Sequence, residues 1–177
     1  RLAAEVEQAG VTILIGKNSV EPFVQFGGLF PDNPNYDPSF PWATETPLEG
    51  SAVEVRKALN YAIDRQAILD KILFGFGEIG IIPFSFLSPT AAGGSPPPWW
   101  NDDWKAHPFD PALARQILKD AGHEGCFEWN QWHIAGQIYG PDIGEAVASM
   151  WEEHLGCKVN RRLGEYRPTL RGMLIDQ

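Results

Sequence analysis

The sequence predicts an α/β domain. Three observations predict it: segments of strand character at 127–134 and 157–163, a helix-periodic apolar segment between them, and a glycine where each periodic run stops. Strand, helix and strand in that order make a right-handed parallel crossover. The 177 residues suit one domain, and 44% hydrophobic with 21% charged residues is ordinary for a globular chain.

The elements follow in order along the chain. Residues 2–9 read as the end of a helix stopped by Gly10, Val11–Ile15 as a short buried strand, and Pro22–Leu29 as a second strand. Between Phe30 and Gly50, Pro31, Pro34, Pro38, Pro41 and Pro47 stand among Asp32, Asn33, Asn35 and Asp37, which fixes turns and predicts an ordered surface loop. Ser51 and Glu54 then have capping-box spacing. Val55, Ala58, Leu59, Ala62, Ile63, Ile72 and Leu73 form one broad stripe, so a single helix is expected over 51–74, ended by Gly75. Gly75–His107 is a loop in which Ser95–Trp104 joins a polyproline run to Trp99, Trp100 and Trp104, aromatics expected to pin it.

Asp110-Pro111 supplies an N-cap and a proline at the first helical position. Leu113, Ala114, Ile117, Leu118 and Ala121 keep one face apolar up to Gly122. Phe127–Ile134 is aromatic-rich and suits a strand. Asp142 and Glu145 repeat the capping-box spacing before Ala146, Val147, Met150, Trp151 and Leu155, and Gly156 ends that helix. Cys157–Leu163 is the next strand, and Pro168–Asp176 begins one more helix.

Composition excludes several classes. Lys and Arg total 14 against 23 Asp and Glu, and a net charge of -9 repels a polyanion, so no nucleic-acid partner is expected. No apolar run approaches the roughly 20 residues that cross a bilayer, so no direct membrane span is expected. The first residues lack the features of a secretory signal, and the sequence reads as truncated at both ends. Gly75-Phe76-Gly77-Glu78-Ile79-Gly80 matches a dinucleotide-binding pattern, but a helix precedes it and Pro83 follows, the reverse of what a phosphate site needs. A helix end and turn is the better reading.

His107, His123, His133 and His154 are scattered without metal-ligand spacing, so no metal is expected. Asp102-Asp103 and Glu152-Glu153 are adjacent pairs whose side chains point apart, which suits solvated surface. With no serine-centred elbow, phosphate loop or Cys/His nucleophile arrangement, no catalytic residue or cofactor is assigned and the chain reads as a non-enzyme. Trp151 lies on an apolar helix face and reads as core. Cys126 and Cys157 begin two strands that the crossover makes neighbours. Such strands lie about 4.8 Å apart, within the range of a disulfide. Two small buried thiols are the alternative.

The run Val55-Arg56-Lys57-Ala58-Leu59-Asn60-Tyr61-Ala62-Ile63-Asp64-Arg65-Gln66-Ala67-Ile68, followed by Gly75-Phe76-Gly77, Phe109-Asp110-Pro111-Ala112-Leu113-Ala114-Arg115, Ala121-Gly122 and Leu155-Gly156, resembles the family 5 (peptide/nickel-type) solute-binding proteins of ABC transporters. The resemblance covers nearly the whole chain. It implies a periplasmic-binding-protein type II-like lobe, with a mixed sheet, flanking helices and long Pro/Gly-rich loops. Residues 1–177 would form a single partial domain, part of the C-terminal lobe of a two-lobed protein. Residues 31–50, and within them Pro31–Thr46 above all, look like a loop insertion.

By the same resemblance the ligand contacts come from the segment Phe23–Phe26 and the loop after Ile134, with Phe23, Gln25, Gln137 and Tyr139 as candidates. Packing is the competing reading for Phe23. Gly136–Pro141 carries no charge, so sugars, opines and metal chelates stand beside oligopeptides as ligands. The implied partners are a small-molecule or peptide ligand and ABC permease subunits. The implied location is periplasmic or extracytoplasmic, with a lipid anchor open for the full-length protein. The other readings are a solute-sensing module of a cytoplasmic regulator, and a scaffold domain without ligand.

Overall fold

The computed structural model describes residues 8, 10, 12, 22–27, 36–43, 50–81, 100–137 and 139–172. The chain divides into two compact units, Arg1–Glu21 with Ile82–Trp104 and Pro22–Ile81 with Lys105–Gln177. In the first unit Trp100 meets Trp104 edge to face at 5.6 Å, and Trp100 Nε1 donates to Asp102 Oδ1 at 3.1 Å. These are the loop-pinning contacts expected of that aromatic run. The expected strand Val11–Ile15 and Trp99 lie outside the described residues, apart from Thr12, which is not in a strand.

The second unit holds α1 (Ser51–Tyr61), α2 (Arg65–Lys71), α3 (Pro111–Asp120), β1 (Glu128–Ile134), α4 (Gly140–Leu155) and β2 (Lys158–Gly164). A π-helical turn, Tyr166–Leu170, follows β2 and begins the last helix two residues before the expected Pro168. Among the described residues the sheet is β1 and β2, parallel, with Glu128 opposite Lys158 and Ile134 opposite Gly164. This is the β-α-β crossover that the sequence predicts. Its core joins Val147, Ala148, Trp151 and Leu155 of α4 to Val55, Ala58 and Leu59 of α1, Ala114 and Leu118 of α3, and Val159 of β2.

The single helix expected over 51–74 is broken at Ala62–Asp64, and the reason is tertiary. A helix that stops leaves its last four carbonyls without partners. Here each of the four is met: Ala58 O by Ala62 N, Leu59 O by the buried Trp151 indole at 2.8 Å, Asn60 O by Ile63 N, and Tyr61 O by Asp110 N at 2.9 Å. Asp64 then restarts the chain as the N-cap of α2, its Oδ1 accepting from Ala67 N at 2.9 Å. The apolar residues on the two sides of the break share one core, Ile68 of α2 being buried with Val55, Ala58 and Leu59 of α1.

Both expected capping boxes are absent. Gly50, with φ 87°, is the N-cap of α1, and Glu54 pairs with Lys57 at 2.7 Å rather than reaching back. α4 starts two residues early, with Tyr139 at φ 61° as its N-cap and Pro141 in its first turn, so Asp142 falls inside the helix. The Asp110 cap of α3 forms as expected, accepting from Leu113 N at 2.9 Å. Gly156, at φ 76°, closes α4 in the left-handed conformation expected of a glycine stop. Gly75, at φ 78°, ends the turn after α2, which is the helix-end reading of the glycine cluster.

The segment 22–27 is not a strand in its described residues, because β1 pairs with β2 and no ladder receives it. Within the expected surface loop, Trp42 is core. It is 6% exposed, stacks on Phe40, contacts Phe26, Phe127 and Trp129, and donates its Nε1 to Gly27 O at 3.0 Å.

Candidate functional site

Alternation along β1 sorts its side chains onto two faces. Trp129, Gln131 and His133 turn toward α4, while Glu128, Asn130 and Trp132 turn outward. The outward face meets that of β2 as a ladder: Lys158 pairs with Glu128 at 3.0 Å, Asn160 donates to Glu128 at 2.8 Å, and Arg162 donates to Asn130 at 3.1 Å. Hydrogen bonds from Asn160 and Lys158 hold the Glu128 carboxyl below its ordinary range. Trp132, opposite Arg162, stays 41% exposed.

The α4 side of the sheet carries a polar network that the sequence reading did not assign. Arg161 of β2 bonds Glu152 at 2.6 Å and both oxygens of Glu145 at 3.0 Å, and it also donates to Ser149. Those bonds hold Arg161 protonated and lower the Glu152 carboxyl, which also accepts from Val159 N at 3.1 Å. The spacing Glu145, Ser149, Glu152 lies on one helix face and was legible in the sequence. The arginine that meets it is fixed only by strand register. Glu152 is therefore engaged rather than freely solvated.

Gln131 and His133 are each 9% exposed. Gln131 Nε2 donates to Gly144 O at 3.1 Å, whereas Gln131 Oε1 and His133 Nε2 are buried without a hydrogen-bond partner among the described residues.

The four candidate contact residues fall in two places. Gln137 and Tyr139 occupy the loop that leaves the carboxyl end of β1 and enters α4. Both are exposed, Tyr139 by 45%. The Gln137 side chain folds back over Gly140, where a Cβ would stand 2.6 Å from its Oε1. Phe23 and Gln25 are exposed on the 22–27 segment, whose anchor is Phe26 against Trp42. Trp42 packs on Phe127 and Trp129, at the opposite end of β1, so that anchor lies about 20 Å along the strand from Gln137. Phe23 is 62% exposed, which removes core packing as its role within the described residues.

Cys126, two residues before β1, and Cys157, the residue before β2, form a disulfide with a Cα–Cα distance of 4.8 Å. No helix among the described residues is long and apolar enough to cross a membrane, and no described group of His, Cys, Asp and Glu is arranged to hold a metal ion.

Comparison with known proteins places this geometry. The family model for bacterial extracellular solute-binding proteins, family 5 Middle, matches residues 31–171. Heme-binding protein A of Haemophilus influenzae is 37% identical over 114 residues, which are 61% of this chain and 19% of that protein. Di/tripeptide-binding protein 3 of Pseudomonas aeruginosa is 35% identical over 123 residues, 64% of this chain and 21% of that protein. The chain therefore aligns with about a fifth of the length of the curated relatives it matches. Among solved structures, the periplasmic binding protein DppA of Helicobacter pylori, in complex with the peptide STSA, superposes with a TM-score of 0.54 at 21% identity. That superposition covers 70% of this chain and 22% of DppA, and it shows the type II periplasmic-binding-protein fold.

Proposed function

The chain belongs to the bacterial extracellular solute-binding proteins of family 5, and from that premise we propose that it forms part of the substrate-binding component of an ABC transporter. In this reading it captures a small, peptide-like solute in a cleft between two lobes, of which it supplies part of the C-terminal one. The observation that carries the reading is the loop 135–139 at the carboxyl end of β1, which offers Gln137 and Tyr139 to solvent and holds no charged side chain. In open α/β sheets such loops border the crevice that receives ligands.

A glutamine amide supplies one donor and one acceptor surface, the complement of a peptide group. A tyrosine ring adds a flat apolar face with a polar tip. An uncharged loop suits a ligand read through amides, hydroxyls and ring faces more than one gripped by its charged ends. No bond is made or broken. The ligand shifts the population toward a closed form that docks on permease subunits. The Cys126–Cys157 bridge supports an oxidising, extracytoplasmic location, with or without a lipid anchor.

Enclosure needs contacts from both lobes, so the 177 residues alone are expected to bind weakly or not at all. Calorimetry with di- and tripeptides tests this on the chain alone and on a longer polypeptide that adds the flanking sequence. The expected result is binding to the longer polypeptide only, weakened severalfold by Gln137→Ala or Tyr139→Ala without loss of melting temperature. Tight binding of an oligopeptide to the isolated chain overturns the two-lobe reading. A longer polypeptide that binds none of a peptide and small-solute panel overturns the transport reading.

A further inference from the structure

We propose that His133 is a proton-sensitive latch: neutral, it lets the amino-terminal half of α4 close on β1 and holds the loop 135–139 in place; protonated, it drives the two apart. The use of that loop in solute capture rests on the function proposed above, whereas the latch itself rests on the geometry at Gly144.

The imidazole lies directly under the helix. A Cβ added at Gly144 would stand 2.7 Å from His133 Nε2, so the ring and the α4 backbone are in contact through the space a side chain would fill. Nε2 is buried there with no hydrogen-bond partner among the described residues. A neutral, unprotonated Nε2 tolerates this position at the loss of one acceptor bond. A protonated Nε2 needs an acceptor, and among the described residues none bonds it: Gln131 Oε1 is buried without a partner of its own, and the Gly144 carbonyl is bonded by Gln131 Nε2. It also places a cation near the positive end of a 16-residue helix.

The surrounding charges do not relieve this. From β2, Arg161 repels an imidazolium. From α4, Glu145 attracts it, but both Glu145 oxygens are bound by Arg161. Asp142 on the first turn of α4, and Tyr166 and Arg167 on the turn after β2, are exposed to solvent. Burial, opposed by Glu145 and reinforced by Arg161, lowers the histidine from its ordinary value. The sign is that of a base held neutral by the fold. The closed arrangement is fully favoured above the ordinary histidine value of about 6.5 and is lost as pH falls from there through the lowered folded value.

The test uses the whole chain without ligand, so its outcome is independent of the solute-capture reading. His133 is titrated by its imidazole proton resonances while amide exchange is followed along α4, both corrected for intrinsic pH effects. The expected result is a His133 midpoint below about 6.5, with opening at the amides of residues 143–147 rising by up to about tenfold per pH unit from about 6.5 down to that midpoint and levelling off below it. The amides near Trp151 should not follow. His133→Gln should remove the pH dependence, and Gly144→Ala, whose Cβ collides with the ring, should open the same amides at every pH. A His133 that titrates at the ordinary value, or α4 amides that keep their pH dependence in His133→Gln, overturns the latch.

Discussion

The two ends of the β1-α4-β2 crossover are built from different chemistry. At the end where the strands begin, Cys126 and Cys157 are bonded, and Trp42, Phe127, Trp129 and Trp151 form a continuous aromatic cluster. At the end where the strands finish, the contacts are polar or glycine-mediated: Gln131 on the Gly144 carbonyl, His133 under Gly144, and Trp132 against Gly164. Beyond them stand the exposed Gln137 and Tyr139. Apolar burial and a covalent bond fix the first end in one arrangement. The second relies more on polar contacts, and local opening concentrates where apolar burial is lower. Under the function proposed above, the first end would serve as a rigid base and the second as an adaptable rim.

The contrast makes graded predictions. The largest loss is expected at the rigid end from Trp151→Ala, about 4 kcal/mol, because a fully buried indole is removed and the Leu59 carbonyl loses its donor. Denaturant unfolding measures it, and a loss under 2 kcal/mol would break the comparison. Next, replacing Cys126 and Cys157 together by serine should cost about 3.5 kcal/mol under the chain-entropy account for a loop of roughly this size. The bond spans 31 residues, so it closes the whole crossover. Reduction should give the same shift in denaturation midpoint.

Gly144→Ala should cost about 1–3 kcal/mol by overpacking, and hydrogen exchange should show the loss confined to the amino-terminal half of α4. A smaller effect is expected from Glu152→Gln. Arg161 lowers the Glu152 carboxyl, so that ion pair contributes stability above the ordinary glutamate value of about 4.3, lost as pH falls through the folded value. The pair is a third exposed, which limits the change at neutral pH to about 1 kcal/mol or less. Its signature is a flatter acid limb in stability against pH. The smallest stability effect, within about 0.5 kcal/mol, belongs to Gln137→Ala and Tyr139→Ala. Calorimetry on the longer polypeptide would sharpen the contrast by showing whether these two change affinity alone.

The position of the candidate loop is legible because it follows from strand order: a crossover puts the loop after β1 at one end of the sheet whatever its residues are. The partners across the structure were not legible. Nothing in the period of β1 says that His133 will meet a glycine, since that depends on how far α4 slides along the sheet. Phe23 and Gln25 are grouped with the loop by resemblance, and the described residues 22–27 that carry them are not a strand.

By itself the sequence determined many of the features whose physics is local, though not the two capping boxes, which Gly50 and Tyr139 replace as N-caps. The features it determined include the alternation of strand and helix around 127–164, the Asp110-Pro111 start of α3, the glycine stop of α4 and the absence of a long apolar span. Periods, a cap followed by proline and a left-handed glycine act within a few residues, so a few residues are enough to read them. Only the tertiary structure decided the break between α1 and α2, the burial of Trp42, and the pairing of Arg161 with Glu145 and Glu152. A helix end is stable where distant donors reach its carbonyls, as the Trp151 indole and the Asp110 amide do for Leu59 and Tyr61. Those donors lie far away in sequence and are brought there by packing.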